Sequence, residues 1–244
     1  MIVTNGFCKD GFKEEYLPYL EEPNLITWFG VHPCPLFHKK FHPLPLGVNA
    51  PNSLATLAKN NYSPTSYCAA IKDYNDLFKL LRNSEKTVLL YSNFTNSTHE
   101  ERIKVEELFT NKSFCLVDQK SEHQVRYSEH MFCLPKKNDY YLTYLTRMSS
   151  CKFVLSPRGM GIDCYRNWAA LLVGCIPILL DCQLKPLFQD LPVLLVDKWE
   201  DVTEEFLHNQ YEKITAKQYS LKKLYCSYWL DEINNVKKEF FGKK

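Results

Sequence analysis

"KFVLSPRGMGIDCYRNWAALLVGCIPILLD", Lys152 to Asp181, places two strongly apolar runs on either side of a polar turn and one amphipathic stretch. "KFVLSP" is too short for a helix and reads as a strand, "DCYRNWAALLVG" as a helix stopping at Gly174, and "IPILLD" as the next strand. Strands of unbroken apolar character separated by a helix are those of a parallel sheet covered on both faces. The alternation continues outward: "LPVLLVD" adds a strand downstream, and "KTVLLYSNF", "THEERIKVEELFTN", "SFCLVDQ" and "NDYYLTYLTRMSS" read upstream as strand, helix, strand, helix. Nearer the N-terminus, "MIVTNG", "LITWFGV" and "HPLPLGV" read as short strands, with "GFKEEYLPYLEE" and "YNDLFKLLRN" as helices. Leu221, Leu224, Tyr225, Tyr228, Trp229, Ile233, Val236 and Phe240 fall on one helical stripe, expected to pack back across the fold. The reading is an α/β protein with two Rossmann-like lobes: a reduced N-terminal lobe over 1–80, a larger lobe over 81–214, and a C-terminal helical tail over 215–244.

Hydrophobic residues at 45% and charged residues at 24% are ordinary for a globular chain. A formal charge of +2 lacks the basic excess of a sequence-independent nucleic-acid binder, so no nucleic-acid partner is expected and any anion must be held locally. The ten cysteines contain no CxxC pair, and Cys115, Cys151 and Cys175 lie in apolar runs, which reads as reduced thiols. No apolar run approaches the ~20 residues of a membrane helix, and no signal-peptide pattern opens the chain. The expectation is a soluble cytoplasmic protein without a membrane segment, or a Golgi-lumen one had an N-terminal anchor been removed. Asn61, Asn93, Asn96 and Asn111 sit in Asn-x-Ser/Thr sequons, a pattern common by chance.

In an open parallel sheet, ligands bind outside the carboxyl ends of the strands. Ser156 to Asp163 forms such a loop, leading into a helix N-terminus that favours an anion. Gly159 and Gly161 let phosphate oxygens approach the backbone, and Arg158 and Arg166 supply forked cationic donors. Asp163 is suited to cap the helix or to accept from a sugar hydroxyl. The structural alternative is an (i, i+3) pair of Asp163 with Arg166 beside a tight Gly-Met-Gly turn. No GxxxxGK[ST] occurs, and Cys164 replaces the third glycine of a dinucleotide fingerprint.

"FVLSPRGMGIDCYRNWAALLVGCIPILL" resembles the nucleotide-sugar segment of exostosin-like glycosyltransferases, found in plants and large DNA viruses. The likeness continues through "LPVLLVDKWEDVTEEFL", and "LLYSNFTNSTHEER" and "WFGVHP…HPLPLGV" are similar to earlier parts of that family. The resemblance implies a trimmed, two-lobed GT-B architecture. It also implies transfer of a sugar from a nucleotide sugar, a UDP-sugar in the first instance, to a hydroxyl of a glycan or glycoprotein acceptor, with inversion. The family carries Glu after the tryptophan, for ribose, where this chain has Ala169.

Such transfer needs the leaving diphosphate stabilised and the acceptor hydroxyl deprotonated. No Asp-x-Asp metal motif occurs, so protein cations and a helix N-terminus take the first task, with no metal or other cofactor expected. Arg102, Asn93 and Thr98 are expected to join Arg158 and Arg166 in the cleft, Asn93 and Thr98 equally reading as turn and capping residues. The catalytic base is expected from the opposite lobe, Asp10 first and His32 second. His32, Cys34, His38 and His42 are residue types that bind zinc, but no second ligand pair follows at a finger-like spacing. The competing readings are a noncatalytic glycan or nucleotide-sugar-binding module and a phosphate-binding metabolic enzyme.

Overall fold

A computed structural model describes residues 1–4, 14–31, 38–48, 75–118 and 140–242. Two parallel sheets organise the chain. The smaller holds β1 (Ile2–Thr4), β2 (Trp28–Gly30) and β3 (Phe41–Pro43) in that order, Val3 opposite Phe29 and Phe29 opposite His42. Its core is Leu20 of α1 (Leu17–Glu21), Leu25 and Phe41, covered by Tyr16 and Trp28. "HPLPLGV" is strand only at its start. Beyond Leu44, whose N–H still donates to Gly30 O, the chain leaves the small sheet, and Leu46 and Val48 pack on the larger body.

The larger sheet holds β4 (Val88–Ser92), β5 (Cys115–Val117), β6 (Cys151–Leu155), β7 (Ile176–Leu180) and β8 (Leu194–Val196) in the order β5-β4-β6-β7-β8. Alternate residues face opposite layers, as the pleat dictates. Leu90, Phe153, Leu155 and Ile178 meet Val105 and Phe109 of α3 (Glu101–Phe109) and Leu207 and Ile214 of α7 (Glu204–Thr215). On the other face Tyr91 and Val154 meet Leu145 and Met148 of α4 (Tyr140–Ser149), Ala169 and Ala170 of α5 (Tyr165–Leu172), and Phe78 and Leu81 of α2, described over 75–82. A boundary at residue 80 would cut α2, whose buried side chains belong to this larger body. The result is a Rossmann-like α/β fold.

α6 (Lys185–Phe188) closes a third cluster, in which Leu184 and Leu187 meet Trp168 and Leu179. The apolar stripe of the tail is not one helix: a 3-10 turn over Leu221–Leu224 and an extended Tyr225 precede α8 (Cys226–Phe241). Leu221, Leu224 and Trp229 pack on that third cluster, whereas Tyr225, Leu230 and Phe240 are exposed. α8 returns towards the small sheet, where Met1, Ile26, Val236 and Lys237 line a cavity of about 240 Å³. Burial lowers the pKa of His42, which stacks on Phe29, and Glu232 of α8 raises it. No helix among the described residues is long and apolar enough to cross a membrane, and all six described cysteines are unpaired.

The end of α5 shows why the opening stretch stops being helical where it does. Gly174 has φ +71°, its N–H donates to Leu171 O, and Cys175 N donates to Ala170 O, the bond pair of a Schellman motif. Arg82 Nε and Nη2 donate to Leu172 O and Leu171 O, and Lys86 Nζ to Val173 O, so two cations sit at the negative end of the helix. A Cβ at Gly174 would lie 3.2 Å from the Arg82 carbonyl. Gly174→Ala is therefore expected to lower stability by about 1–2 kcal/mol, read by urea unfolding.

Candidate functional site

Consecutive connections leave β4 in opposite directions, to β5 on one side and, after β5, to β6 on the other. The gap between the carboxyl ends of β4 and β6 is thus the topological switch point, where open α/β sheets bind ligands. Residues 93–98 follow β4, and the turn 156–164 follows β6 and feeds α5.

Arg102 organises this junction. It is buried, with Nε donating to Arg158 O at 2.8 Å, Nη1 to Thr95 O at 3.0 Å and Nη2 to Pro157 O at 3.5 Å. It is therefore a clamp tying the 95–98 turn to the 157–158 turn, and its donors serve protein carbonyls. Gly159 is required by that clamp: a Cβ there would stand 2.9 Å from Arg102 Nη2 and 3.6 Å from Thr98 Oγ1. The guanidinium is pinned, so it cannot yield cheaply. Gly159→Ala is expected to cost about 1–3 kcal/mol in thermal or urea unfolding, and much less in an Arg102→Ala background.

The Gly159 amide is not bare, because its N–H donates to Gly161 O, and Arg158 N donates to Glu101 Oε1. Ser156 is also occupied, its hydroxyl donating to Asn167 Oδ1 at 2.5 Å and its amide to Ile178 O. The Asn93 side chain turns away from the turn after β6: Nδ2 donates to Tyr91 OH and Asp118 Oδ2, and Asp118 also accepts from Tyr91 OH and Arg147. The Asn93 carbonyl accepts from Arg166 Nε at 3.2 Å.

Asp163 is neither the helix cap nor a partner of Arg166; the N-cap is Cys164. At 2% exposure its carboxylate accepts from Leu46 N (2.8 Å), Cys164 N (2.8 Å), Asn167 Nδ2 (2.9 Å) and Trp168 Nε1 (2.8 Å). Burial pushes the carboxyl above its ordinary range and these donors pull it back. With both oxygens taken, Asp163 has no room for a sugar hydroxyl. It fastens residue 46, on the way out of the small sheet, to the larger lobe.

Four buried side-chain polar atoms among the described residues find no partner in the protein: Asn96 Oδ1, Thr98 Oγ1, Arg158 Nε and Arg166 Nη1. All four lie at this one junction. Folded proteins pair nearly all such atoms, so their concentration singles this junction out as the candidate site. Arg166 is 8% exposed, at the N-terminal end of α5, its guanidinium 5.5 Å from the Phe94 ring centroid. Among the described residues neither Arg158 nor Arg166 forms an ion pair, and Arg166 stands where the helix dipole is also positive. The four atoms are closed over by their neighbours.

Asn96 and Glu101 belong to this constellation without an expectation from the sequence. Asn96 carried only a sequon, and a 3-10 turn of three residues, Asn96–Thr98, leaves no periodicity to read. Asp10, His32 and Cys34 lie outside the described residues. His38 pairs with Glu21 at 3.1 Å, so it is not turned to a metal. No family model matches this chain, and no curated protein matches it.

Proposed function

We propose that this protein is a GT-B glycosyltransferase of the exostosin-like kind. It moves a sugar from a UDP-sugar to a hydroxyl of a glycan acceptor, with inversion. The observation that carries this reading is the pair of unpaired guanidinium atoms, Arg158 Nε and Arg166 Nη1, at the switch point of a Rossmann-like sheet. As the glycosidic bond to the diphosphate breaks, negative charge grows on the leaving oxygen. Cations held beside that oxygen offset the developing charge and lower the barrier. Arg102 keeps the turn carrying Arg158 in register with the 95–98 turn. The base that takes the acceptor proton comes from the smaller lobe, from Asp10 or His32, which follow β1 and β2 in the chain.

One observation favours a noncatalytic nucleotide-sugar-binding module instead. Ala169, where the family has a carboxylate for ribose, is 2% exposed and packs in the core against the Tyr91 face of the sheet. Release of UDP from UDP-glucose, with and without glycan acceptors, separates the two. Turnover that disappears in Arg158→Ala supports the transferase. Saturable binding without turnover supports the module, and equal affinity for UDP and inorganic phosphate points to a metabolic phosphate site.

A further inference from the structure

We infer that Asn96 reads a hydroxyl of the ligand, which makes the site selective for a hydroxyl-bearing phosphate ester, a nucleoside or sugar diphosphate, over a bare polyphosphate. The inference rests on the reading of this junction as the site of a phosphate-bearing ligand. Its own ground is the polarity of the unpaired atoms. Arg158 Nε and Arg166 Nη1 are donors and suit phosphate oxygens, but Asn96 Oδ1 is an acceptor. A phosphate that is fully ionised offers it nothing, and would be repelled by it.

The orientation of the amide is fixed by its neighbour. Asn96 Nδ2 donates to Glu106 Oε2, and an ionised carboxylate only accepts, so the nitrogen must face Glu106 and the oxygen must face away from it. Thr98, in the same short turn, lies beside Gly159 with an unpaired hydroxyl that both donates and accepts. The turn after β4 therefore presents an acceptor and an adaptable hydroxyl, while the turn after β6 presents cations. A ligand satisfying both carries O–H groups next to its charged oxygens.

The test is calorimetric titration of the full chain with inorganic pyrophosphate, UDP and UDP-glucose. Asn96→Ala is expected to weaken UDP or UDP-glucose by about three- to tenfold while pyrophosphate changes by less than about twofold, the loss of one neutral hydrogen bond. Should Asn96→Ala fail to fold, Asn96→Ser, a turn-compatible residue too short to reach the same point, gives the answer. An equal loss for all three probes would reduce Asn96 to a shaper of the turn, and no loss for any would leave its oxygen to water. Either overturns the inference while the phosphate site stands. If Arg166→Ala weakens none of the probes, or the wild type binds none, the underlying reading fails as well.

Discussion

Arg166→Ala is expected to weaken binding of UDP by about 10- to 100-fold with little change in melting temperature. A charge-assisted bond from a guanidinium to phosphate is worth about 1.5–3 kcal/mol, and each 1.4 kcal/mol is tenfold. Its hydrogen bond to the protein, Nε to the Asn93 carbonyl, and its contact with the Phe94 ring contribute modestly, and removing the side chain also removes an unpaired buried donor. Loss of affinity and retention of stability thus separate a ligand-binding arginine from a structural one. Arg102→Ala should behave the opposite way, because its donors hold the carbonyls of Thr95, Pro157 and Arg158. Isothermal titration alongside thermal melts reads both, and a stable Arg166→Ala protein with unchanged affinity contradicts the assignment.

Asp163→Ala is expected to lower stability by at least about 3 kcal/mol, since four donors, all but Leu46 N in buried bonds, lose their acceptor at once. For a chain of this size that is a fall of roughly 6–12 °C in melting temperature. Asp163→Asn should do nearly as much damage despite its shape, because its amide nitrogen would face donors. The effect reaches beyond the turn, as Leu46 N is one of the four donors and Leu46 and Val48 pack on the larger body. Limited proteolysis near residues 44–48 should accelerate in either variant. A loss below about 1 kcal/mol would show that the carboxylate is dispensable.

The larger sheet was legible because its strands are buried on both faces and read as unbroken apolar runs, and Gly174 marks the end of α5 by the backbone it must adopt. The candidate junction could be singled out from the sequence, but its hydrogen bonds could not. Charge identified the three arginines, but not that Arg102 faces carbonyls while Arg158 and Arg166 keep free atoms. That division depends on a contact 56 residues apart, between Arg102 and Arg158, which no local pattern encodes. Asp163 looked like a cap because it precedes a helix, and tertiary contacts with Leu46 and Trp168 claimed it. Asn96 gave no signal because its amide is oriented by Glu106, 10 residues on in α3. The tail read as one stripe, but Tyr225 is extended and splits it.

The central claim is that a nucleoside diphosphate lies between Arg158 and Arg166 at the carboxyl ends of β4 and β6. A crystal structure of the protein with UDP-glucose tests it most directly. The account predicts diphosphate oxygens within hydrogen-bonding distance of both guanidinium groups and of Thr98. Nucleotide bound elsewhere, with water pairing those side chains, would contradict it.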